Sequence, residues 1–115
     1  MKNIGLIGCG NIAETYFRAQ EYFNNINFVA CADINLDAAK KTAEQYKIIP
    51  LSVDEILNDK NVDIILNLTI PQAHYEISKR ALEANKHVYC EKPMSVKFDE
   101  AKILLNLAKK NSLYI

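Results

Sequence analysis

The chain has 115 residues, half of them hydrophobic, and its fourteen acidic and fourteen basic side chains cancel. This is the length of a single domain with a real core, too apolar for a disordered chain, and its lysines are interleaved with acids rather than gathered into the basic stripe of a nucleic-acid binder. Apolar runs stop at strand length, and the N-terminus enters one at once without the basic, apolar and small-residue order of a signal peptide, so the expectation is a cytoplasmic protein with no membrane partner.

The first predicted element is a buried strand over Ile4 to Ile7, which runs directly into a turn and a helix start. Gly5, Gly8 and Gly10 are the only glycines in the chain, whereas average usage gives roughly eight. Their clustering assigns them to one task, holding a phosphate. Gly8, Gly10 and Ala13 spell G-x-G-x-x-A, the dinucleotide-binding fingerprint with its permitted alanine ending. Gly8 lets the chain turn off the strand, Gly10 has no Cβ to keep a pyrophosphate from the backbone, and Ala13 lets the helix lie close to the sheet. The amides of Gly10, Asn11 and Ile12 then face the anion together with the positive end of the helix dipole.

An apolar stripe at Ile12, Tyr16, Ala19 and Phe23 predicts the helix that follows. The second strand, Phe28 to Ala32, ends on Asp33, the acidic residue expected about 20 residues past the fingerprint to bind the ribose hydroxyls. A purely structural alternative has Asp33 capping the next helix. As a ribose ligand its carboxylate repels a 2′-phosphate, and Ile34 and Asn35 supply no arginine to hold one, so the expected cofactor is NAD rather than NADP.

Leu36, Ala39, Ala43 and Tyr46 mark the next helix, with Lys40 and Lys41 on its solvated face. Ile48 and Ile49, before Pro50, predict a short third strand. Val53, Ile56 and Leu57 mark another helix, and Ile64 to Leu68 a fourth strand that leads into Thr69, Ile70, Pro71 and His74. Ala73, Ile77, Ala81 and Ala84 line the following helix, His87 to Cys90 form a fifth strand, and Glu91, Lys92 and Pro93 come next. The last helix carries Phe98, Ala101, Leu104, Leu105 and Ala108. Leu113 to Ile115 look like the opening of a further strand, so the chain is expected to be the first part of a longer protein. Near-continuous apolar strands alternating with helices predict an α/β fold, a doubly wound parallel sheet in one domain. Asn24, Asn85 and Asn111 fall where helices should end and are expected to take the left-handed conformation in place of glycine. The three cysteines, Cys9, Cys31 and Cys90, fit neither a disulfide framework nor a metal site and are read as reduced thiols.

The fingerprint, Asp33, the Thr69-Ile70-Pro71 segment followed by His74, and above all Glu91-Lys92-Pro93 resemble the Gfo/Idh/MocA oxidoreductase family over the whole chain. The resemblance implies an N-terminal Rossmann domain that binds the nicotinamide cofactor. A second α/β domain, absent from these 115 residues, would supply the substrate pocket, the general base and an interface between identical subunits. It also implies that Lys92 is catalytic, pointing at the reacting oxygen of a sugar-like substrate, where an ammonium can polarise a carbonyl or join a proton relay. Glu91 would lie near the nicotinamide ribose, Pro93 would fix the turn that aims Lys92, Thr69 to Pro71 would pass beside the cofactor, and His74 would contact it or brace the loop. The domain alone is expected to bind cofactor without turnover. Two other readings stay open at this point: a non-catalytic NAD-binding regulatory or redox-sensing module, and a Rossmann-like domain for another nucleotide such as S-adenosylmethionine. A lysine at the end of the fifth strand favours the enzyme, since a sensor has no need of it.

Overall fold

A computed structural model describes residues 1–115. The strands are β1 (Lys2–Ile7), β2 (Ile26–Ala32), β3 (Ile49–Pro50), β4 (Ile64–Asn67) and β5 (His87–Cys90). Between and after them lie α1 (Ala13–Ala19, with a 3₁₀ turn over Gln20–Tyr22), α2 (Leu36–Tyr46), α3 (Val53–Asn58), α4 (Pro71–Glu83) and α5 (Phe98–Lys110). All pairings are parallel, in the order β3-β2-β1-β4-β5. This is the doubly wound Rossmann arrangement expected from the alternation. The strand order reverses at β1, and ligands of such sheets bind outside the carboxyl ends of the strands at that point.

Two cores flank the sheet. On one side Ile56, Leu57, Ile77, Ala81, Leu82, Leu104 and Ala108 from α3, α4 and α5 pack on Ile7, Ala30, Ile65 and Val88. On the other, Ala13, Phe17 and Ala43 cover Ile4, Leu6, Phe28, Cys31 and Leu66. Phe17 stacks on Tyr46 at 3.9 Å between ring centroids and lies 4.8 Å from Phe28. Beside this second layer an apolar groove of about 400 Å³ lies between Tyr16, Phe23, Ile64, Leu66 and Tyr89.

Several expectations change. Gly5 does not serve a phosphate: a Cβ there would come within 2.9 Å of the Ile56 side chain, so its task is to let α3 seat against β1. The buried side of α1 is Ala13 and Phe17, while Ile12 and Phe23 are exposed, because the helix is only seven residues long and begins after Ile12. The third strand is Ile49–Pro50, paired with Ala30 and Cys31 at the sheet edge, where a missing N–H is tolerated. Among the asparagines expected in the left-handed region only Asn85 adopts it (φ +61°), and the other two such turns fall at Lys47 and Ser112. At the far edge Tyr114 lies beside β5, its carbonyl accepting from Val88 N at 2.9 Å, in the place of an adjoining strand. No helix is long and apolar enough to cross a membrane.

Candidate functional site

Because all five strands run the same way, the loops after β1, β2, β4 and β5 share one rim. Gly8 makes the turn off β1 with φ +105°, and a Cβ on it would sit 2.5 Å from the carbonyl carbon and oxygen of Leu68. The β1 and β4 loops therefore touch through a glycine that accepts no side chain. Gly10 differs. A Cβ there meets nothing within 4 Å, so the absent side chain leaves open space rather than room for the protein. The backbone N–H groups of Gly10, Asn11 and Ile12 find no acceptor within the chain. Helix α1 also lacks a side-chain cap, as do α4 and α5, whereas α2 is capped by Asn35 and α3 by a Ser52–Glu55 capping box. Free donors beside an unfilled space are what a phosphate group requires.

Asp33 stands at the end of β2 with its carboxylate turned to this loop. Oδ2 accepts from Cys9 N at 2.8 Å, and Oδ1 accepts from Asn35 N at 2.8 Å. The cap of α2 is Asn35, which accepts from Asp37 N and Ala38 N, so Asp33 is not the capping residue. Each carboxylate oxygen keeps a lone pair for a further donor. Beside it a cleft of about 270 Å³ runs between Gly8, Gly10, Asp33 and Ile34 on one wall and Leu68, Thr69 and Ile70 on the other. Lys41, read as solvated, borders a second cleft with Gly10, Asn11 and Thr42 on the outer side of the loop.

The β4 and β5 loops are joined by a buried polar network that the sequence patterns did not single out. Asn67 is fully buried; its Nδ2 donates to Ser78 Oγ (2.9 Å) and His74 O (3.0 Å), and its Oδ1 accepts from Thr69 Oγ1 (2.7 Å) and Thr69 N (3.3 Å). One signal in the sequence marks it: an asparagine inside the otherwise apolar run Ile64 to Leu68. The structure places His74 beneath the rim, only 1% exposed, with Nδ1 2.6 Å from Pro93 O and Nε2 2.8 Å from Thr69 O. A neutral ring donates to one of these carbonyls and a doubly protonated ring to both. Its ring therefore braces both loops. Pro71 opens α4 at the first helical position and Ile70 is exposed at the cleft mouth.

After β5, Glu91 N donates to Asn67 O at 3.1 Å, and its side chain accepts from Tyr16 Oη at 2.5 Å and from Lys92 N at 3.2 Å. Burial and this carboxylate push the Tyr16 phenol well above the ordinary tyrosine value. The Lys92–Pro93 peptide bond is cis, and the Lys92 side chain is exposed and takes no part in an ion pair. In the fingerprint itself the neighbouring Cys31 thiol holds the Cys9 thiol below its usual value, while burial opposes this. No group of three or more His, Cys, Asp or Glu is placed to hold a metal ion.

Residues 2–115 match the Gfo/Idh/MocA family, described as an oxidoreductase family with an NAD-binding Rossmann fold. The chain belongs to that family. As a Gfo/Idh/MocA domain it is 32% identical over 114 residues to a glucose-6-phosphate 3-dehydrogenase of Bacillus subtilis, covering 98% of this chain and 32% of the relative. It is 28% identical over 111 residues to an inositol 2-dehydrogenase of Salmonella typhimurium, covering 93% of this chain and 33% of that enzyme. Among solved structures, a 3-ketoreductase from Actinomadura kijaniata in complex with NADP and TDP-benzene superposes with a TM-score of 0.92 at 30% identity, over 97% of this chain and 35% of that one. The Gfo/Idh/MocA chain thus spans about a third of the length of these relatives. The free amides at Gly10, the carboxylate of Asp33 and the adjoining cleft fit the dinucleotide for which the family's fold is described.

Proposed function

We propose that this chain is the cofactor-binding domain of an NAD-dependent oxidoreductase that moves a hydride between nicotinamide and a hydroxyl-bearing carbon of a sugar, cyclitol or nucleotide sugar. The observation that carries the reading is the position of Glu91-Lys92-Pro93 on the same rim as the fingerprint turn and Asp33, with the Lys92 ammonium free of any carboxylate. The relatives named for glucose 6-phosphate and inositol oxidation support the substrate class.

When bound, the nicotinamide supplies the hydride acceptor or donor. The chain's own residues do the rest. The amides of Gly10, Asn11 and Ile12 bind the pyrophosphate, and Asp33 accepts from the ribose hydroxyls of the adenosine. A second negative group at the 2′ position would meet that carboxylate at close range with no arginine at Ile34 or Asn35, which favours NAD over NADP. The relative solved with NADP makes this discrimination a property to be measured on this chain. Thr69, Ile70 and Pro71 form the wall beside the cofactor, fixed from below by Asn67 and His74. Glu91 faces the nicotinamide ribose. Lys92 holds a positive charge at the substrate oxygen, stabilising the alkoxide character that develops as the hydride leaves or arrives. The general base and the substrate walls come from a second domain in a longer form of the protein.

The test is turnover with NAD across polyols, cyclitols and nucleotide sugars, in a form of the protein that extends beyond these residues, with Lys92→Ala alongside. The proposal expects activity on one of these classes and a loss of about 10²–10⁴-fold in the variant. Tight NADH binding with no turnover on any of them would instead identify a regulatory module.

A further inference from the structure

Tyr16 lies on the fingerprint helix, and its hydroxyl donates to Glu91 Oε1 at 2.5 Å, a hydrogen bond between residues 75 positions apart. Its ring also meets Tyr89 edge-on, with centroids 6.3 Å apart. Glu91 is thereby held from several sides. Its N–H is taken by Asn67 O, one carboxylate oxygen by Tyr16, and the other by the backbone N–H of Lys92 at 3.2 Å. The neighbouring Lys92 ammonium would be the natural partner of a free Glu91 carboxylate, yet the two do not pair.

We infer that Tyr16 is a positioning residue for the reacting end of the site: by occupying the Glu91 carboxylate it fixes the Lys92 backbone and leaves the Lys92 ammonium free for substrate. The link runs from the helix whose first turn faces the pyrophosphate to the loop that carries the lysine. One continuous path, α1 to Tyr16 to Glu91 to Lys92, therefore sets the spacing between the two ends of the cofactor site. The functional meaning rests on the cofactor reading above, but the bond itself does not.

Tyr16→Phe removes one oxygen and keeps the ring in contact with Tyr89, so the fold survives and only the bond is lost. Glu91→Gln is the second variant, weakening the same link from its other side. The first readout is the ¹H–¹⁵N amide spectrum of the cofactor-free chain. Loss of the Tyr16 bond shifts the Lys92 amide, while the Cys9 and Asn35 amides, held by Asp33, stay in place; Glu91→Gln moves the same Lys92 signal. The second readout is NADH titration. The wild-type chain shows NADH-induced shifts at both Gly10 and Lys92. In Tyr16→Phe the Gly10 response persists, with affinity changed by less than about threefold because the cradle is untouched, and the Lys92 response is lost or altered. A Lys92 amide that is unmoved in both variants, or that answers NADH identically in wild type and Tyr16→Phe, overturns the inference. Absence of any NADH response in the wild type overturns the cofactor reading instead, and the cofactor-free spectra still decide whether Tyr16 positions Glu91 and Lys92.

Discussion

Adding one methyl group at Gly8 and at Gly10 separates what the fold needs from what a ligand needs. At Gly8 the backbone has φ +105° and the new Cβ would lie 2.5 Å from the Leu68 carbonyl. Holding a non-glycine residue there costs roughly 1–3 kcal/mol in backbone strain. Relieving the overlap moves the β4 loop and adds about 1–3 kcal/mol more. Together these are a large share of the roughly 5–15 kcal/mol that stabilises a domain, so Gly8→Ala should lower the melting temperature by roughly 10 °C or more. At Gly10 the same methyl meets nothing within 4 Å, and Gly10→Ala should stay within about 0.5 kcal/mol of wild type. In the proposed site that methyl stands in the path of the pyrophosphate, however, and NADH affinity should fall by about tenfold or more, the equivalent of 1.4 kcal/mol. Calorimetric melting with an NADH fluorescence titration on the same two samples measures both effects. A Gly10→Ala chain that binds NADH like wild type, or a Gly8→Ala chain that melts with it, refutes the division of labour between the glycines.

Replacing Asn67 by alanine removes the buried partner of the Ser78 hydroxyl and the acceptor for Thr69 Oγ1 and should cost about 1–3 kcal/mol by urea unfolding, with the Thr69 and Pro93 segments exchanging amide hydrogens faster. Asp33→Ala, which removes the acceptor for Cys9 N and Asn35 N together with the charge proposed to repel a 2′-phosphate, should raise NADPH affinity relative to NADH in competition titrations. The Tyr16 phenol is raised in the folded state by burial and by Glu91, so the folded chain holds its proton where the unfolded chain has released it. Its contribution is complete below the ordinary tyrosine value and lost above it, and Tyr16→Phe should flatten the alkaline fall in stability above about pH 10. Asp63 is lowered chiefly by the Asn3 backbone N–H and then by Lys2, so its contribution is present at neutral pH and lost as pH falls below the usual aspartate value. Chemical denaturation of Asp63→Asn at successive pH values should show reduced stability at pH 7 and a shallower acid limb.

The element order, the sheet class and the rim loops were legible because they rest on local signals: apolar runs of strand length, helical stripes, and glycine or proline at turns. What escaped has a common cause in distance along the chain. The stripe assigned to α1 is one residue out of phase, since a helix of seven residues offers too few turns to fix its phase, and Phe17 is buried by Tyr46 and Phe28 from later elements. The sequence groups Gly5 with Gly8 and Gly10, because its real neighbour, Ile56, is some fifty positions away. The left-handed turns at Lys47 and Ser112 follow from where the next strand must begin, a tertiary demand that overrides the preference for asparagine or glycine. His74 was legible as a residue of the rim. That its ring faces the interior depends on Pro93, nineteen positions on, and on a buried asparagine whose partners lie on the next helix.

The proposed selectivity for NAD rests on the open amides at Gly10 and the carboxylate of Asp33. Parallel titrations of NADH and NADPH into the purified chain, at fixed ionic strength, test it most directly. Saturable NADH binding, tighter than NADPH binding, is the expected result. NADPH binding as tight as NADH, or no saturable binding of either, would contradict it.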